Sequence, residues 1–183
     1  ARSFATAIVL ASTIMFPRIL LEVAAVNHGL LPLLAPAIAA MALVGLLGAG
    51  ALMRGSEPDG HGELPAFKNP LELSASLFFG GALALVTFAG VALHRFFGDG
   101  GVYAAALSAG VMDVDAVTLS MSRLALNGTL DEATAANAIL MAAGANTVSK
   151  IALAAALAHG RLGLLAGSVL AAALAAGGLV LAQ

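Results

Sequence analysis

The chain contains no cysteine and no tryptophan, a single tyrosine, and charged side chains at only 10% of its 183 positions. Without cysteine there is no disulfide framework, thiol nucleophile or thiolate metal site. Soluble domains carry about 25% charged residues, and a water-soluble fold of this length would not cover its surface with so few. The net charge of −2 and pI near 6.0 offer no basic patch, so nucleic acid is not an expected partner. The aromatic poverty leaves no clear interfacial belt. Residues 1–28 lack the short basic lead of a signal peptide, and their apolar stretch is too long for one. The first residue is alanine, as expected for a trimmed part of a longer protein.

What remains is apolar: 61% hydrophobic residues and a mean hydropathy of +1.01. A spanning helix needs about 20 mostly apolar residues, and six stretches qualify, at 3–27, 30–53, 70–97, 102–126, 130–158 and 162–181. The expectation is an all-α polytopic membrane protein, a single transmembrane domain over 1–183. Asn27-His28-Gly29 ends the first stretch, and Pro32 and Pro36 fall in the opening turns of the second, where missing amides cost little. The one long polar loop is 54–69, and Pro70 opens the third stretch. Gly98-Asp99-Gly100-Gly101, Asn127-Gly128-Thr129 and His159-Gly160-Arg161 read as turns. Thr129 and Glu132 have capping-box spacing for the fifth stretch. Glycines such as Gly45, Gly48 and Gly50 read as close helix packing in lipid. With six crossings, Arg2, Arg54 and Lys68 face Arg95 and Arg161 across the membrane, which points the amino terminus to the cytoplasm.

A short internal match joins Thr13–Ile19 (TIMFPRI) to Thr118–Leu124 (TLSMSRL), with Met41-Ala42 and Met141-Ala142 downstream. Halves 1–97 and 98–183 would then be inverted three-helix repeats, since an odd number of spans reverses orientation.

Ionisable groups at bilayer depth are expensive, about 2.5–3.5 kcal/mol each on insertion scales, and mark function by default. The fourth stretch holds Asp113, Asp115 and Arg123 within eleven residues, together with Thr118 and Ser122. Asp115, Thr118 and Ser122 share a helical face, whereas residues two apart diverge by about 200°. The two aspartates converge only if this helix is broken near Gly110, with Asp113 capping its second half. Arg18 and Glu22 are one turn apart in the first stretch, next to Pro17, which removes a backbone bond. The fifth stretch brings Asn146, Ser149 and Lys150; a buried lysine usually pairs with a carboxylate, here Asp113 or Asp115. Three cations (Arg18, Arg123, Lys150) balance three carboxylates (Glu22, Asp113, Asp115), a neutrality that suits exchangeable pairs better than a divalent cage. All four histidines fall at helix ends or in the polar loop, so no histidine metal site is expected.

Asn69-Pro-Leu-Glu-Leu, Gly98-Asp-Gly-Gly-Val-Tyr, Gly110-Val-Met-Asp-Val-Asp-Ala-Val-Thr-Leu-Ser and Ala145-Asn-Thr-Val-Ser-Lys150 together resemble an uncharacterised bacterial integral-membrane domain. That domain follows MgtC/SapB-type domains, and the likeness runs over essentially the whole chain. It implies a multi-pass protein of the bacterial inner membrane linked to magnesium homeostasis, with an amino-terminal membrane domain as neighbour; it assigns no catalytic residues.

The leading expectation is a permease for a small ion, a cation with proton coupling. Its midplane site is formed by Asp113, Asp115, Thr118, Ser122, Asn146, Ser149 and Lys150, with Arg18, Glu22 and Arg123 as counter-charges. No cofactor is expected beyond a bound cation; the partners are the lipid bilayer, the small ion, and a second copy or the amino-terminal domain. The alternative is a non-transporting membrane subunit whose polar cluster only fixes packing. An enzyme is not expected: there is no Ser-His pair, HExxH or phosphate-binding loop, and both deep aspartates share one segment.

Overall fold

A computed structural model describes residues 2–54, 73–157 and 161–182. The polar loop beyond Arg54, the Pro70 helix start and the His159-Gly160 turn lie outside the described residues. Among those described, all regular structure is helical: α1 (Arg2–Thr13), α2 (Met15–Val26), a 3-10 turn (His28–Leu30), α3 (Leu31–Met53), α4 (Leu73–Phe97), α5 (Asp99–Gly110), α6 (Val114–Leu126), α7 (Glu132–Leu157) and α8 (Arg161–Leu181).

Five helical stretches are long and apolar enough to cross a membrane: Ala5–Val26, His28–Met53, Leu77–Phe97, Glu132–Ala156 and Gly163–Leu181. The first contains both α1 and α2. Pro17 has no amide to offer the Thr13 carbonyl, which interrupts the ladder at Ile14. Bonds from Ile14 N to Leu10 O and Arg18 N to Ile14 O continue the helix on either side.

The fourth apolar stretch is not among these five, because it is split into α5 and α6 at Val111–Asp113. Gly101 of α5 lies against the Leu93 backbone, and Met121 and Leu124 of α6 lie beside Gly90, so the start of α5 and the end of α6 share the C-terminal end of α4. Between them, Ala109, Met112, Asp113 and Ala116 line a groove shared with residues of Leu77–Val86, well down α4. α5 and α6 therefore form a re-entrant hairpin whose tip is Val111–Asp113. Five candidate spans thus stand beside the six stretches anticipated, and the physical reason is the break itself. α5 and α6 have 12 and 13 residues, about 18–20 Å each at 1.5 Å per residue, too short to span alone. Irregular backbone at this depth is tolerated because protein surrounds it. Residues 98–183 hold two of the five candidate spans, Glu132–Ala156 and Gly163–Leu181, preceded by the α5–α6 hairpin. Under the short sequence match, moreover, Ile14 falls opposite Leu119, inside unbroken α6 rather than at its break.

The hairpin sets two sides. The far side carries the His28–Leu30 turn, the α4–α5 turn and the α6–α7 turn; an added Cβ at Gly29 would lie 3.0 Å from Glu132 Oε1. The near side carries Arg54, the start of α4 and the start of α8. Because the chain has no native cysteine, the assignment is directly testable. Single cysteines at Gly100 and Thr129, both exposed, should react with an impermeant maleimide from the same face of sealed vesicles. Labelling from opposite faces would restore the sixth crossing.

Packing follows from small residues, because lipid offers no hydrophobic drive between helices. Gly45 faces Thr13, Gly48 faces Val169, and a Cβ on Gly177 would come within 2.7 Å of Met41 Cγ, which clamps α3 between α1 and α8. The buried centre, with Phe16, Ile19, Leu34, Ile38, Val117, Met121 and Ile139, fills the bundle around α6. α6 ends in a turn where Gly128 takes φ +70° and Thr129 N returns to Leu124 O, a geometry that glycine adopts without strain. α7 is capped by Asp131, whose Oδ1 accepts from Thr134 N at 2.8 Å, in place of the anticipated Thr129–Glu132 box. The Thr134 hydroxyl and then its amide hold the exposed Asp131 carboxyl below the ordinary aspartate range. A depressed folded pKa stabilises above the unfolded value and is lost as pH falls through the folded one. Asp131→Ala should thus lower the melting midpoint by a few degrees at neutral pH, and the difference should fade in acid.

Candidate functional site

The space under the hairpin tip is a cleft of about 260 Å³. Its polar lining comes from three elements: Arg18 of α2, Asp113 and Asp115 at the hairpin tip, and Asn146 and Lys150 of α7. Ala11, Ile14, Met15 and Met112 complete most of the wall.

The tip is built by the sequence around it. α5 ends as Met112 N and Asp113 N both turn back to Ala109 O, at 3.0 and 2.9 Å. Asp113 is extended (φ −151°, ψ 114°) and caps α6, with Oδ1 accepting from Asp115 N at 2.9 Å. Asn146 Nδ2 donates to the Gly110 carbonyl at 3.0 Å, satisfying one of the acceptors a helix end leaves over. The other amide atom, Asn146 Oδ1, is buried without a hydrogen-bond partner among the described residues. α6 begins at the tip and α5 ends there, so opposite dipole ends meet at the cleft.

Arg18 organises the charges. Its guanidinium forks onto Asp115, with Nε 3.1 Å from Oδ1 and a terminal nitrogen on Oδ2, and Nε also lies 3.5 Å from Glu22 Oε1. Asp115 is 6% exposed, while the Arg18 side chain is 56% exposed along the cleft. Bidentate arginine–carboxylate pairs are among the stronger and more directional contacts a protein makes. Glu22 Oε2 is buried and unpartnered among the described residues.

Five anticipated groups thus converge in the cleft: Arg18, Asp113, Asp115, Asn146 and Lys150, with Glu22 attached through Arg18. Lys150 is a correction. It makes no ion pair among the described residues, and its Nζ lies 3.5 Å from the Met15 sulfur. Of the two carboxylates expected to pair with it, Asp115 is held by Arg18, whose planar fork fits both its oxygens better than an ammonium does, and Asp113 makes no ion pair among the described residues. Arg123 is also corrected: it is exposed in the last turn of α6, because the hairpin carries it back to the far side. Thr118 and Ser122 do share the Asp115 face, but one and two turns deeper into the protein. Thr118 donates to Val114 O at 2.9 Å, and the Ser122 hydroxyl is buried without a partner among the described residues. Ser149 lines a different recess, with Leu107, Val111 and Val148, since it points about 100° away from Lys150.

Sequence reasoning missed Met15 and Met112, which carry no polar signal. It also missed Thr87 and Ser120, whose hydroxyls meet at 2.8 Å while Ser120 reaches Leu83 O at 3.3 Å, pinning α4 to α6. Thr87 was legible, being the lone hydroxyl among the apolar residues of 77–93. Among the described residues no group of three or more His, Cys, Asp or Glu is arranged to hold a metal ion.

These features define a multi-pass helical membrane protein with a re-entrant hairpin and a charged cleft at its tip. The chain belongs to the family described as Domain of unknown function (DUF4010), whose model matches residues 1–158. A relative described as an uncharacterized protein, from Aquifex aeolicus (strain VF5), is 33% identical over 98 residues, 54% of this chain and 43% of that protein. The matched stretch therefore spans less than half of that relative. No solved structure matches.

Proposed function

We propose that the chain is a permease of the bacterial inner membrane for a small ion, a cation with proton coupling. One observation carries this reading. The α5–α6 hairpin delivers two aspartates to a cleft that also holds an unpartnered asparagine oxygen and two cationic side chains, Arg18 and Lys150. Half-helix ends meeting near the midplane are how many transporters bind ions, and the tip lies level with Ala142–Asn146 near the middle of the Glu132–Ala156 span. Arg18 then acts as a tethered surrogate that an incoming cation displaces from Asp115, while Lys150 stands in the same cleft without a carboxylate.

With five crossings, Arg2, Arg54, Lys68 and Arg161 fall on the near side by chain position, against Arg95 and Arg123 on the far side. The positive-inside rule then orients the near side, and with it the cleft, toward the cytoplasm. An MgtC/SapB-type domain or a second copy would sit beside this chain, and we assign it no catalysis. Uptake of mono- and divalent cations into proteoliposomes by wild type, Asp115→Asn and Lys150→Met tests the reading. Full transport by both variants would remove the site.

A second reading is favoured by the Arg18–Asp115 fork, which also ties the first crossing to the hairpin as a packing staple. In that case the chain is a non-transporting membrane subunit. It predicts no flux above empty vesicles, and a folded protein when Asp115 and Lys150 are neutralised together.

A further inference from the structure

The missing half-crossing leaves a second space, on the other side of the tip. Between α4 and the hairpin runs a groove of about 500 Å³, walled by Leu77, Phe78, Ala82, Leu85 and Val86 on one side and by Ala109, Met112 and Ala116 on the other. Among the described residues, Asp113 is the only ionisable group in its lining. The same Met112 and Asp113 line the polar cleft, so the aspartate stands at the junction of an apolar and a charged space.

Asp113 differs from the other two deep carboxylates. Asp115 and Glu22 are both engaged by Arg18. Asp113 makes no ion pair among the described residues, and its one assigned bond is the cap to Asp115 N. An unpaired carboxylate at this depth is costly, and the groove indicates what relieves it. An inorganic cation gains nothing from apolar walls, and an acyl chain gains nothing from a carboxylate. A molecule that is apolar over most of its surface and carries one positive charge uses both. The volume is within the range of about 300–1,000 Å³ typical of small-molecule sites.

We propose that the groove between α4 and the hairpin binds an amphiphilic organic monocation, entering sideways from the lipid, with its charge on Asp113. The proposal shares Asp113 with the permease reading but does not require that ions cross. Tetraphenylphosphonium is a suitable probe, measured by equilibrium binding to the purified chain in phosphatidylcholine nanodiscs. Wild type should bind it saturably, one per chain. Asp113→Asn keeps a good helix cap and should weaken binding by about tenfold, the scale of one lost charge-assisted contact. Gly81→Leu should weaken it comparably by filling the groove; a Cβ there meets nothing within 4 Å, so the helix accepts it. Gly178→Ala, on α8 where a Cβ meets nothing within 4 Å, should bind like wild type. Absence of saturable binding to wild type, or wild-type affinity in either Asp113→Asn or Gly81→Leu, would overturn the proposal. Parallel cation-flux measurements keep that failure separate from failure of the permease reading.

Discussion

Cation uptake by proteoliposomes carrying Asp115→Asn is expected to fall by about ten- to a hundredfold, the range that corresponds to losing one charge-assisted contact of about 1.4–3 kcal/mol. The substitution keeps the shape of the side chain and removes the charge that both Arg18 and an incoming cation compete for. Arg18 is not left stranded, because Glu22 Oε1 is already 3.5 Å from its Nε. The Asp113 cap on Asp115 N uses backbone and is untouched. Stability should therefore drop by only about 1–2 kcal/mol, less than the 3–5 kcal/mol for a fully buried pair left without any partner. Lys150→Met should give a different pattern. Lys150 holds no carboxylate, so its loss should spare the fold and change the pH dependence of uptake rather than abolish ion binding. If Asp115→Asn stays folded and neither it nor the wild type shows flux above empty vesicles, the fork is a staple and the second reading stands.

The membrane class, the helical content and the break near Gly110 were all legible in the sequence, each for a local reason. Apolar runs bounded by Asn-Gly and Gly-Asp turns set the helices, and an aspartate two residues before another, after a glycine, is a cap signature in any solvent. The direction of the chain after the break was not legible. A broken span and a re-entrant hairpin have the same hydropathy, and only the contacts of Gly101 with Leu93 and of Leu124 with Gly90 separate them. That one turn explains the misassigned groups. It carries Arg123 to the far surface and alters which basic residues share a side. The partner of Lys150 failed for another reason. Charge counting treats cations alike, whereas the two-pronged geometry of Arg18 decides who holds Asp115. The polar stripe on α6 was read as cavity lining because Thr118 and Ser122 share the Asp115 face, yet α6 is buried nearly all round and only its first turn meets the cleft.

Gly110→Ala is the second large effect expected, and it tests the hairpin without touching a charge. A Cβ at Gly110 would lie 2.6 Å from Ala142 Cα, 2.7 Å from Ala142 O and 2.8 Å from Ala142 Cβ. Two of these atoms are backbone, so no side-chain rotation relieves the overlap, and α5 must move away from α7. Overpacking of this kind costs about 1–3 kcal/mol. The displacement also pulls the Gly110 carbonyl from Asn146 Nδ2, a bond now 3.0 Å long, and frees the amide that lines the cleft. The expected result is a clear drop in melting midpoint in detergent together with weakened ion binding. Gly80→Ala is the matched control: it lies in the helix that flanks the hairpin, and a Cβ there meets nothing within 4 Å. It should be neutral or slightly stabilising, since alanine is favoured over glycine in a helix by roughly 0.5–1 kcal/mol. Equal behaviour of the two variants would mean that α5 does not dock on α7 at Gly110, and the hairpin tip would then lose its seat beneath Asp113 and Asp115.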